Sequence, residues 1–493
     1  MLSIFRSGPV LAGLLIIFPV ACGAADGSVE GQDGSEAAVS AADLSRRPDD
    51  RRPDDQFQIQ LWGRPLTIGG EYEFEPTWRK DFDFDNSGDD LLRLDQQIEL
   101  ELLYGFSPDL ALFLEGKAFY RKDLHEENGP EKDEDSFERG EMWLYARQLY
   151  GSNWGVQAGR QNFIDGREWW WDEDLDAVRL HYDRKRLHAE IAIAEELARV
   201  STLEDDLDPE KEDVFRILGS ASWRWAKRHS VEFFFLDQDD SSGTPALGAV
   251  VSDTSEDEVD SDLTWYGLRA QGRIKAKKPL AGRFHYWVDY GYVRGRETLI
   301  DFDPFGPGQI FVDDIDRRDV RGWATDLGVT WETKWALRPR ITLGYAYGSG
   351  DDNPADGTDR AYHQTGMHDN NDKFRGVDSF RYYGELLRPE LSNLHIVTLA
   401  IGFPLLENSS VELVFHNYRQ VHASDSLRNA RLDADPDGIS RSIGTEYDIV
   451  LGIEEWKHLE LELVLGVFRA GSAFGADDGE YASTAIFKLN YNF

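Results

Sequence analysis

The chain has 493 residues and a formal charge of −39. It is long enough for two or three soluble domains or one large barrel, and its charge makes nucleic acid an improbable partner. Its mean hydropathy of −0.51 argues against a helical membrane protein. It leaves room for a β-barrel, whose strands need only about ten residues of alternating polarity. Cys22 is the single cysteine, which rules out a disulfide framework or a thiolate metal site in the mature chain.

The chain begins with Arg6, an apolar run from Pro9 to Ala21, and then small residues. This pattern is that of a secretory signal peptide over 1–24, with cleavage after Ala24 or Ala25. Pro19 stands where a lipoprotein signal has an aliphatic residue, which argues against a lipid on Cys22. Residues 25–62 are mostly polar and acidic and contain RRPDD twice in tandem, at Arg46–Asp50 and Arg51–Asp55. Such proline-broken charge blocks bury too little apolar area to fold, so the segment reads as a disordered periplasmic tail.

From about residue 63 to 493 the chain alternates polar and apolar residues in period two. Short connectors, such as Gly105–Pro108, Asp183–Lys185 and Leu406–Asn408, take turns with long acidic ones: 123–135, 164–174, 197–212, 239–261, 299–318, 350–391, 425–439 and 472–479. Strict turn-taking is the organisation of an outer-membrane barrel with tight periplasmic turns and large extracellular loops. The reading is all-β: a membrane-spanning antiparallel barrel of about 18 strands, of a size that leaves an aqueous lumen.

Parity assigns the faces. In the first strand Tyr72, Phe74, Pro76 and Trp78 face lipid, while Glu71, Glu73, Glu75 and Arg79 face inward. Asp289, Arg269, Arg273 and Arg340 are likewise inward, as are Lys117, Arg139, Arg179, Arg216 and Arg224. Charge falls on one parity because on the lipid face it costs about 2–4 kcal/mol at the midplane. Arg160 breaks the pattern, since Trp154, Val156 and Ala158 put it on the lipid side; a bulge at Gly159 would re-aim it. In the closing strand Phe487, Leu489, Tyr491 and Phe493 point out and Lys488 and Asn490 point in.

Several stretches resemble the alginate export family of outer-membrane barrels. They are Gly159-Arg160-Gln161, Leu207–Phe215, Gly344–Asp352 followed by Gln364–Met367, Arg381–Leu394, Gly444–Val450 and Phe468–Gly475, in order along the chain. The resemblance implies an 18-stranded monomeric porin that passes a polyanionic exopolysaccharide from periplasm to surface through an arginine-bearing lumen. It carries Arg160, Arg381, Arg388 and Arg469 into that lumen, together with an inward acidic pair, Glu446 and Asp448. Val464 and Leu465 stand where the family pattern has an arginine.

A polyuronate carries about one carboxylate per sugar, and arginine binds carboxylates in bidentate fashion. A loop as long as 350–391 is usually functional, and its FRYYGELLR stretch could fold into the lumen as a constriction. Against a polyanion stand Glu71, Glu73, Glu75, Glu99, Glu101, Glu460 and Glu462, all inward near the periplasmic ends of their strands. An acidic vestibule repels polyuronate and suits a passive uptake porin for small, cationic solutes. The acidic runs Gly348–Asp359 and His368–Asp372 offer oxygen ligands for Ca²⁺ without calcium-hand spacing, and read better as solvated loops. No cofactor is expected otherwise. No catalytic triad, zinc spacing or phosphate loop stands out, so an enzyme is not expected. Outer-membrane lipid, lipopolysaccharide, an anionic polysaccharide and periplasmic secretion proteins are the expected partners.

Overall fold

The computed structural model describes residues 53, 55–84, 90–126, 132–204 and 206–493. The signal peptide and most of the tail lie outside the described residues. Eighteen strands form the wall. They are β1 (Arg64–Lys80), β2 (Leu91–Ser107), β3 (Leu110–Glu126), β4 (Asp133–Ala146), β5 (Trp154–Ile164), β6 (Asp172–Arg184), β7 (Leu187–Ala194), β8 (Val214–Ala226) and β9 (His229–Asp240). The second half continues with β10 (Val259–Ala276), β11 (Gly282–Gly306), β12 (Gln309–Thr333), β13 (Arg340–Gly348), β14 (Leu394–Pro404), β15 (Ser409–Gln420), β16 (Ser442–Ile453), β17 (Leu459–Ala470) and β18 (Tyr481–Asn492).

Each strand pairs antiparallel with its neighbours in the chain, and β18 returns to β1 with Glu71 opposite Asn492 and Trp78 opposite Ala485. Gly70 and Phe493 exchange both backbone hydrogen bonds across this seam, at 3.1 and 2.9 Å. Closure leaves no free sheet edge, which a membrane-embedded sheet requires. The period-two alternation sets the faces as expected. Ile191, Ile193, Leu268, Val288, Tyr290, Leu343 and Leu399 form an outward apolar band. Trp154, Trp223, Trp335 and Trp456 ring the periplasmic side and Trp78, Trp323 and Tyr481 the opposite one, as the two interfacial girdles of a membrane barrel.

Three expectations change. Phe57–Leu61, assigned to the tail, is a strand paired with the start of β1; its FQIQL alternation is the local signal. The stretch 299–318 is not an open loop, because β11 and β12 stay paired up to Gly306 and Gln309. The lumen is not an open aqueous channel. Its extracellular half is filled by two loops, L3 (165–171) and L7 (349–393), whose Trp169, Trp170, Trp171, Tyr362, Tyr382, Tyr383, Leu386 and Leu387 are all nearly fully buried. The wall is shaped to receive them. A Cβ on Gly267 would lie 1.9 Å from the Trp170 ring, so this position must lack a side chain for L3 to seat.

Candidate functional site

L3 is held by charge. Asp165 accepts the backbone N–H of Trp170 at 2.7 Å and forms an ion pair with Arg269 of β10. Arg269 also reaches Asp289 of β11 at 2.5 Å. Arg167 donates to Asp326 of β12 at 2.9 Å and lies 4.6 Å from the Trp287 ring and 4.5 Å from the Tyr382 ring. Buried ions of this kind persist only when paired, so these contacts fix the loop's position.

L7 crosses L3 and is tied to the same wall. Trp169 donates to the Tyr383 hydroxyl at 2.9 Å, which donates to Asp326 at 3.0 Å. Glu446 of β16 accepts from the backbone N–H of Leu386 at 2.6 Å, from that of Leu387 at 3.1 Å and from the Tyr418 hydroxyl at 2.9 Å. Asp448 is buried beside it, 3.7 Å from His416. Glu446 therefore anchors the plug, and neither member of the inward acidic pair lines an open passage. The His368–Asp372 run is likewise part of the plug rather than a solvated loop: Asn370 is buried and Asp369 pairs with Arg381. On the outer part of L7, Asp351 and Asp356 hold Arg360 at 3.2 and 2.8 Å.

The same loop carries a basic cluster. Arg388 pairs with Glu385 at 3.1 Å, and Arg381 and Arg388 line a cavity of about 200 Å³ with His368, Tyr383, Glu390 and Asn429. Arg431, in L8 (421–441), is laid against them by its backbone bond to the Leu387 carbonyl at 3.0 Å. Its side chain reaches the Glu385 carbonyl at 3.4 Å. Burial and repulsion from Arg388, Arg79 and Arg381 hold the Arg431 pKa below the usual guanidinium value. Arg79 of β1 adds a fourth guanidinium, with its Nε lacking a hydrogen-bond partner. Neither Arg79 nor Arg431 has an ion-pair partner among the described residues. Arg79 follows from strand parity. Arg431 does not, because it sits in a loop whose composition reads as acidic and solvated.

The periplasmic half of the lumen is divided by charge. On the β1–β4 and β17–β18 side, a recess of about 320 Å³ is lined by Glu71, Glu73, Glu99, Glu101, Glu460 and Glu462. Lys488 enters it and pairs with Glu73 and Glu75 at 3.5 and 3.3 Å. On the β9–β12 side, a recess of about 460 Å³ is lined by Arg167, Arg228, Arg273, Lys373 and Arg375 with Asp372 as its carboxylate. Arg273 lies here as parity requires, with its Nε buried and without a hydrogen-bond partner. Arg340 is also inward, but is bound to Glu412 of β15.

Three expected lumen residues lie elsewhere. Arg160 stays opposite Met142 and Asp176 with no shift of register through Gly159, so no bulge turns it inward. It is buried, 3.6 Å from Glu196. Arg139 shares that site through its ion pair with Asp176 at 2.8 Å. Arg469 has the parity of the exposed Leu465 and Val467 and faces outward near the extracellular rim. Val464, on the lumen parity, is fully buried and apolar.

The sequence profile described as alginate export matches residues 64–488, the whole barrel wall save its last few residues. The chain belongs to the alginate export family. Alginate production protein AlgE of Pseudomonas aeruginosa is 27% identical over 336 residues, covering 66% of this chain and 65% of that protein. The same protein of Pseudomonas syringae is 24% identical over 370 residues, covering 69% and 71%. The chain thus spans about two thirds of the length of these relatives. Among solved structures, OccAB1 of Acinetobacter baumannii matches with a TM-score of 0.55 at 11% identity, covering 87% of this chain and 96% of that one. OccK5 of Pseudomonas aeruginosa matches at 0.51 and 8%, covering 87% and 98%. At these identities the likeness is one of fold. This member of the alginate export family is an outer-membrane barrel.

Proposed function

We propose that this protein passes an anionic polysaccharide of the alginate-like polyuronate class from the periplasm to the cell surface. The observation that carries the reading is the cluster of Arg79, Arg381, Arg388 and Arg431, two of which lack an ion-pair partner among the described residues. A buried excess of guanidinium charge is costly unless an anion occupies the site. Spaced carboxylates on one chain would bind it transiently and move from one arginine to the next. The recess around Arg273, Arg228 and Arg375 gives such a chain a positive path up from the periplasm, away from the glutamates on the opposite wall. L7 fills the way between the two basic sites, so it must shift for a polymer to pass. Family membership and the alginate production proteins it resembles agree with this chemistry. The role assigned to the barrel is transport, not catalysis.

A second reading, passive uptake of small cationic solutes, is favoured by the acidic recess at the periplasmic mouth. Planar-bilayer recordings under a salt gradient separate the two. The export reading requires anion preference and block by soluble polyuronate. Cation selectivity untouched by polyuronate or by Arg431→Gln would remove it.

A further inference from the structure

A different part of the wall carries chemistry that polysaccharide passage does not use. At the periplasmic end of the β6–β7 hairpin, His181, His188 and Glu190 project from lumen-parity positions, and one ligand atom of each falls within 4.8 Å of the others. Glu190 stands opposite His181, and His188 opposite Asp183, in the strand register.

The tautomers are set from behind. His181 Nε2 lies 3.2 Å from the Gln157 side-chain carbonyl oxygen, which can only accept, so this nitrogen carries the proton. Nδ1 is then a bare lone pair. It is buried without a hydrogen-bond partner and lies 3.8 Å from Glu190 Oε2. His188 Nδ1 donates to the Asp183 carboxylate at 2.6 Å, and its Nε2 lies 3.9 Å from the same Glu190 oxygen. Two imidazole nitrogens and a carboxylate oxygen thus point at one spot, and the His181 nitrogen there has no other partner. Arg179 approaches Glu190 from one side at 3.5 Å, but it supplies nothing to the two imidazoles.

We infer that His181 Nδ1, His188 Nε2 and Glu190 Oε2 form a binding site for a divalent transition-metal ion of the zinc class. Imidazole and carboxylate together suit such ions. A hydrogen bond from the far ring nitrogen to an acceptor is the usual support of a metal-binding histidine, and both histidines have one here. Ligand atoms around tetrahedral zinc are roughly 3.3 Å apart, so the observed separations close by about half an ångström on binding. Three protein ligands leave a fourth position for water or an incoming carboxylate. The site is independent of the arginine cluster and of what the barrel transports.

The test is titration of Zn²⁺ alone into the full-length protein in detergent, read by competition with a chromophoric chelator. One tightly bound equivalent is expected, lost in the His181→Gln/His188→Gln double variant. Asp183→Asn, which keeps all three ligands, should weaken binding by about 10- to 100-fold. Zn²⁺ uptake by the wild type no greater than by the assembled double variant overturns the proposal. Should the variants fail to assemble, Co²⁺ added to the wild type decides: visible d–d absorption supports the site, and its absence refutes it.

Discussion

Glu446 holds Leu386: the buried carboxylate of β16 accepts that backbone N–H at 2.6 Å and so pins this turn of L7 to the wall. Removing the acceptor by Glu446→Ala leaves the two backbone amides of Leu386 and Leu387 unsatisfied, while the Tyr418 hydroxyl keeps the Tyr383 carbonyl at 2.8 Å; the cost is about 1–3 kcal/mol for each buried amide. The loop should loosen without loss of the barrel. Single-channel conductance and proteolysis within 349–393 should both rise. A conductance equal to that of the wild type would show that L7 does not limit flow.

Arg431 and Arg79 should set charge preference. Arg431→Gln and Arg79→Gln each remove a guanidinium without an ion-pair partner, so neither strands a buried carboxylate. Contacts to charged groups are worth about 1.5–3 kcal/mol. Each variant should weaken block by soluble polyuronate by about 10- to 100-fold and move the reversal potential toward cations. An unchanged blocking concentration in the double variant would separate the cluster from polymer binding.

His363 of L7 gives the extracellular face a pH dependence. Burial and Arg428 oppose its charge, but hydrogen bonds to Asp359 and Glu297 prevail and raise its pKa above the usual value. Arg318 also faces this group, 3.7 Å from Asp359. A raised pKa in the folded protein means that the histidine's contribution is complete below the unfolded value, about 6.5. It is lost as pH climbs through the folded value. Amide exchange over 359–365 should therefore accelerate on the alkaline side, and His363→Gln should abolish that step. Acceleration on the acid side instead would contradict the assignment.

Gly267 is where the wall yields to the plug. A Leu there collides with the Trp170 ring, whose nearest atom lies 1.9 Å from where its Cβ would sit. Such overpacking costs about 1–3 kcal/mol. Gly267→Leu should leave barrel assembly intact, displace L3 and quench less of the tryptophan fluorescence. A fluorescence spectrum identical to that of the wild type would mean that Trp170 has another resting place.

The wall was legible because lipid and water impose opposite chemistry on alternate residues of every strand. Tyr290 against Asp289 and Leu343 against Arg340 are enough to fix both faces and, with the alternating connectors, the strand number. The plug is legible only in part: the FRYYGELLR stretch marks a constriction inside the lumen, but the contacts that seat it join distant parts of the chain. Trp169 and Tyr383 are separated by 214 positions, and no local pattern announces that they meet. Three consecutive tryptophans in a connector are a further signal, since such a run cannot rest in water. Arg381 and Arg388 were found through the length of their loop, whereas Arg431, flanked by Asp433 and Asp435, was concealed by its neighbours.

The paired extension of β11 and β12 has a consequence for the outer face. A tilted strand crosses the apolar band in roughly ten residues, yet each of these strands has 25. The surplus stands beyond the outer leaflet and bears Asp301, Asp303, Asp313, Asp314 and Asp316. A polyanion leaving the arginine-lined throat would meet a mast of its own sign within a screening length of about 8 Å. That repulsion acts on exit and re-entry alike and sets no direction; it would keep a released chain from settling on the barrel's outer face.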